Sequence, residues 1–130
     1  MIIQVADSGV FIPSFNCNNK LPPSDQIRVH YKRVGLKEKA RYLVKPDPQF
    51  NYDADGKVVG GNITMRFDRK PVIDGMVTKI ENCDWEDGDG EHAITNAREL
   101  LAAPVEFDEL VDEVAEHLRK QLERKIDEKN

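Results

Sequence analysis

At 130 residues the chain has room for one domain with a modest core, and 39% hydrophobic with 33% charged residues is the balance of a folded, charge-rich protein rather than a disordered one. No apolar run approaches the roughly 18 residues of a membrane span, and the start Met-Ile-Ile-Gln-Val-Ala-Asp has neither a basic region nor a cleavable apolar core, so a cytoplasmic location and no membrane partner are expected. A net charge of −5, with no helix-turn-helix or RNP-type run, argues against nucleic acid as a partner.

In chain order, residues 2 to 6 read as a short strand, followed by a loop at Ser8 and Gly9 and an apolar patch, Val10, Phe11 and Ile12. Phe15 to Asp25, with three Asn and two Pro, has the composition of a loop. Gln26 to Val34 alternates: Ile27, Val29 and Tyr31 face one way and Arg28, His30 and Lys32 the other, the pattern of a half-buried strand. Leu36 to Val44 fits either a helical turn or a strand. Asp53-Ala54-Asp55-Gly56 is a turn signal in which Gly56 can take positive φ, so a hairpin should pivot there. Ile63, Met65 and Phe67 alternate along the next strand, and Gly60-Gly61 before them suggests a bulge or a close backbone approach. Lys70-Pro71 is read as ending that strand, and Val72 to Ile80 as another, interrupted at Asp74-Gly75.

An acidic loop follows. Asn96 with Glu99 three residues on makes a capping box for a short helix through Ala103. From Pro104 to Lys129, Phe107, Leu110, Val111, Val114, Leu118, Leu122 and Ile126 recur at steps of three and four, which predicts one long amphipathic helix. Its acidic residues crowd the first half and its basic ones the second, complementing the helix dipole. The expected fold is therefore α+β over 1–130: an antiparallel sheet of four or five strands within 1–80, an acidic loop at 81–93, and a short then a long C-terminal helix within 94–129. Phe107, Leu110, Val111 and Val114 are expected in the core. Leu118, Leu122 and Ile126 are expected to overhang so small a domain and face a partner.

Charge is unevenly spread. Residues 20 to 45 hold eight basic residues against two acidic ones, whereas between Lys79 and Arg98 there are six acidic residues and no basic one. Such polarity steers copies head to tail or attracts a charged partner; the alternatives are patches that face each other or are simply solvated. Trp85, the single tryptophan, lies inside the acidic stretch and is a candidate partner contact.

Chemistry is scarce. The acidic stretch departs from the EF-hand pattern at the positions that must be ligand and glycine, so it reads as a solvated turn, with weak divalent binding as the alternative. His30, His92 and His117 have no metal-ligand spacing, none of the three serines sits in a nucleophile elbow, and Cys17 and Cys83 read as free thiols, with a single disulfide as the alternative. No catalytic residue, cofactor or metal site is expected.

Taken in order, Lys20-Leu21-Pro22-Pro23-Ser24-Asp25-Gln26-Ile27-Arg28-Val29-His30-Tyr31-Lys32, an Arg41-Tyr42 element, the Val77 to Glu81 strand, the acidic turn, Ile94 to Leu101 and the helix from Phe107 to Leu118 form a recognisable series. It resembles small proteins encoded among the tail genes of tailed bacteriophages and prophages, of the tail-assembly-chaperone type. The resemblance implies a non-enzymatic protein of virion morphogenesis in the host cytoplasm, binding the tape-measure protein or tail-tube components. Homo-oligomers are compatible with it. A structural component that joins head to tail or completes the tail, and stays in the particle, is the alternative.

Overall fold

The computed structural model describes residues 2, 8–34, 42, 45–66 and 68–127, with side chains over 45–47, 63–66 and 123–127 outside that description. The strand expected at 2 to 6, the ambiguous Leu36 to Val44 except Tyr42, and Phe67 fall outside it. The α+β order is as expected, with the described strands divided among three antiparallel sheets.

The central sheet has the order β1-β2-β5, built from Ser8–Phe11 (β1), Arg28–Lys32 (β2) and Val77–Glu81 (β5). Its alternation is the one read from sequence: Val29 and Tyr31 are buried while Lys32 is exposed. Gly9 lies opposite Tyr31, and a Cβ there would sit 2.5 Å from the phenol ring, so this pairing needs a glycine. Two hairpins make the other sheets: Lys45–Tyr52 (β3) with Val58–Arg66 (β4), and Asp84–Asp87 (β6) with Gly90–Ala93 (β7).

Among the described residues three α-helices join the sheets: Arg69–Met76 (α1), Ala97–Leu101 (α2) and Asp108–Asp127 (α3). The helix α1 corrects the strand expected from Val72 onward. Pro71 stands in the first turn, where no intrahelical partner awaits its missing N–H, and Val72, Ile73 and Met76 follow helical spacing to the core. Gly75 is tolerated because it lies against Tyr42, whose hydroxyl would be 1.9 Å from a Cβ. The capping box at α2 is formed. Asn96 Oδ1 accepts from Glu99 N at 2.9 Å, and Glu99 reaches back to the Thr95 N–H at 3.2 Å, one residue before the cap.

Packing of α1 against α3, and of α2 against α1 and β5, closes the core over one face of the central sheet. Val72, Ile73, Leu110, Val114 and Leu118 are wholly enclosed there. An Arg69–Asp112 ion pair bridges α1 and α3, but both side chains are about half exposed, so screening leaves it a minor contribution beside the burial.

Candidate interaction surfaces

Four places on this scaffold carry functional potential, and the largest is the β3–β4 hairpin. Its turn is built as the sequence demands. Asp53 Oδ1 accepts from the N–H groups of Asp55 and Lys57, both at 2.9 Å, and Gly56 takes φ +78°. The register shifts between Asn51 and Tyr52, so that Asn51 faces Gly60 and Tyr52 faces Val58, and a Cβ on Gly61 would lie 2.8 Å from the Gln49 carbonyl. The bulge or close approach expected at Gly60-Gly61 is thus present in both senses. Eight paired positions join β3 to β4, and among the described residues no other element shares an extensive contact with either strand. Phe50, Tyr52, Val58 and Val59 are each more than half exposed. A two-stranded ribbon is marginal by itself in water, and an apolar cluster left open on one marks a contact surface. Pro46 and Pro48 must turn their nitrogens away from the ladder, which blunts the free edge of β3 and leaves that of β4, which has no proline, able to pair.

The stretch read as an acidic loop is instead the β6–β7 hairpin, a correction that aligns Trp85 with His92 across the strands. Their rings stack at 4.1 Å with 21° between planes, and this aromatic pair offsets the poor strand propensity of the flanking carboxylates. His92 Nε2 lies 3.0 Å from Asp87 Oδ1, and that hydrogen bond, with one from the Asp89 N–H, holds the Asp87 carboxyl below its ordinary range. Trp85 is therefore half-buried and engaged within its own hairpin. Among the described residues no three His, Cys, Asp or Glu side chains converge as metal ligands would.

Third is a groove where the Phe15–Lys20 turn meets the start of α3. Asn18, 2% exposed, pins the turn: Nδ2 donates to the carbonyls of Pro13 (2.9 Å) and Ile27 (3.1 Å), and Oδ1 accepts from the Ile27 N–H at 2.6 Å. Glu113 on α3 accepts from both the N–H and the hydroxyl of Ser14. Asn82, at φ +59°, donates to the carbonyls of Ser24 and Gln26. Between these anchors lies a half-open groove of about 260 Å³ with Phe15, Ile27, Cys83 and Phe107 as apolar lining and Asp25, Asp84 and Glu106 at its edge. Both cysteines are free, and burial together with the neighbouring Asp84 pushes the Cys83 thiol up to about 11, so it lines the groove as an apolar group rather than a nucleophile.

Fourth, two histidines sit at structural junctions. His30 and Glu81 pair at 3.1 Å across β2 and β5, and with Lys79 this holds Glu81 below its usual range. His117 stacks on Phe11 at 4.0 Å and lies 3.2 Å from the Tyr31 hydroxyl. Burial, reinforced by Lys120, lowers its pKa from 6.5. The folded state thus disfavours a proton that the unfolded chain accepts readily. Stability from this residue is full above the unfolded value and declines as pH falls from about 6.5 towards the lowered folded value. Urea unfolding followed across that window should show a falling midpoint, and His117→Gln should flatten the slope.

The expectation that Leu118 and Leu122 face a partner is corrected: they are 0% and 2% exposed, packed in the chain's own core. Both belong to the same buried cluster as Val72, Ile73 and Met76 of α1, a helix where the sequence alone suggested a strand. Ile126 is on the last turn of α3, and its side chain lies outside the described residues. The groove was not legible at all, because Phe15, Ile27, Cys83 and Phe107 come from four separate stretches of chain.

No helix among the described residues is long and apolar enough to cross a membrane. Comparison of the chain with protein-family models, with curated proteins and with solved structures finds no match.

Proposed function

We propose that this chain is a non-enzymatic assembly protein that works by protein–protein contact, with the β3–β4 arm as its contact element. The observation that carries this reading is the exposure of Phe50, Tyr52, Val58 and Val59 on a ribbon that shares no extensive contact with another described element. Two modes of contact are available to such an arm: the apolar face supplies affinity, and the unblunted edge of β4 can add a strand from a partner. Together with the resemblance of element order to the tail-assembly-chaperone type, the arm favours an adaptor of bacteriophage tail morphogenesis that acts in the host cytoplasm and binds a tape-measure or tail-tube protein.

A structural role in the particle, joining head to tail or completing the tail, is the second reading. It is favoured by the exposure of Phe50, Tyr52, Val58 and Val59, which a lasting interface would keep from water. Co-expression with the tape-measure product of the same gene cluster tests the pair. The native chain should form a stoichiometric complex, and Phe50→Ser/Val59→Ser should lose it while unfolding within about 0.5 kcal/mol of the parent, as exposed substitutions do. Absence from purified particles marks the adaptor, and retention marks the structural component. Undiminished capture by the arm variant excludes the arm as contact element.

A further inference from the structure

We propose that the chain self-associates head to tail, the groove beside Phe15 and Phe107 receiving the basic end of a second copy. The inference goes beyond the arm and rests on different residues.

Two observations meet in it. The first is the groove's chemistry. Phe15 and Phe107, with ring centroids 5.9 Å apart, form an apolar lining, while Asp25, Asp84 and Glu106 supply carboxylates and neither Lys nor Arg lines it. Lys20 and Arg28 also lie towards this end, but outside the lining, and Arg28 donates to the Pro23 carbonyl. A long cationic side chain satisfies both parts of such a groove: its aliphatic stem covers the phenyl rings and its head meets the carboxylates. The exposed carboxylates of Glu86, Asp87, Asp89 and Glu91 on the adjoining hairpin extend the same sign of charge.

The second is where the chain carries the complement. Ile27 lines the groove at one end of β2, and Lys32 and Arg33 are exposed at the other. Six residues of extended strand put about 20 Å between them. In sequence, Lys37, Lys39, Arg41 and Lys45 follow Lys32 and Arg33. Tyr42 lies against Gly75, two residues before Val77, which pairs with Tyr31 towards the end of the sheet remote from the groove. An interface of two unlike patches at opposite ends of one molecule is heterologous, so it builds rings or open filaments rather than two-fold dimers. Self-association follows from the chain's own charge polarity.

Sedimentation equilibrium of the full chain at low and high salt tests this. Association should weaken about tenfold on screening. The charge reversal Lys32→Glu/Arg33→Glu should abolish it, as should Asp84→Lys/Glu106→Lys, each with circular dichroism and thermal unfolding to verify folding. Mixing the two reversed chains should restore association, because the reversed end of the first matches the reversed groove of the second, and the native end of the second matches the native groove of the first. The neutral Asp84→Asn/Glu106→Gln chain keeps the test decisive where a reversal fails to fold, and it should associate weakly with little salt dependence. Phe50→Ser/Val59→Ser should associate like the parent, which separates failure of this proposal from failure of the arm reading. A parent chain that stays monomeric at low salt, reversed chains that associate unaltered, or a mixture that stays dissociated would overturn it.

Discussion

Replacing Leu118 by Ala should destabilise the chain by about 2–5 kcal/mol, read as a shift in urea or thermal unfolding. The side chain is wholly enclosed, and α3 is held on its inner face by α1, so the space left by three missing heavy atoms has little freedom to collapse. A partner-facing leucine would behave differently, costing little in the free chain and reducing binding instead. The same packing decides what truncation does. Removing Leu118 to Asn130 takes away Leu122 as well, 2% exposed, and general unfolding is the expected result rather than a folded chain without binding. A truncated chain with native unfolding behaviour would return the distal helix to the role of a docking face.

The parts of the fold legible in the sequence are those fixed by local chemistry. Steps of three and four from Leu110 to Leu122 define the long helix whatever it packs on, although Phe107, expected within it, stands in a 3-10 turn, Val105–Phe107, before it. Asn96 and Glu99 define the start of α2, and Asp53 to Gly56 define a turn that closes on its own hydrogen bonds. Where local and tertiary signals conflict, the sequence misleads. Pro71 and Gly75 look like breakers in a strand, yet one occupies the only helical turn indifferent to its missing N–H and the other lies tight against Tyr42. Asp84 to Ala93 looks like a solvated loop because carboxylates dominate it, and only the Trp85–His92 register reveals a hairpin. The candidate surfaces belong to a third kind. A turn motif predicts the β3–β4 hairpin but not that it stands uncovered, since exposure of Phe50 and Tyr52 depends on what the rest of the chain does not place against them. The groove likewise exists only once β2, the Phe15–Lys20 turn and the start of α3 are brought together.

Replacing Asn18 by Ala should cost about 3 kcal/mol, because three hydrogen bonds end on this one side chain and their partners are backbone groups. Each net bond contributes on the order of 1 kcal/mol, and stranding the Ile27 N–H beside a buried methyl adds the cost of an unpaired donor. Asn18→Asp separates the two contributions. Its carboxylate can still accept from Ile27 N, but it cannot donate to the carbonyls of Pro13 and Ile27, against which its charge would be repelled. It should therefore be at least as damaging as Ala. The consequence for function is local as well as global. Asn18 ties the Phe15–Lys20 turn to Ile27, the residue just before β2, and Phe15 and Ile27 both line the groove. Loosening it moves Phe15 away from Phe107 and opens the apolar lining, so the Ala variant, assayed under conditions where it is still folded, should self-associate more weakly than the parent. An Asn18→Ala chain with native stability and native self-association would mean that neither the turn nor the groove depends on this side chain.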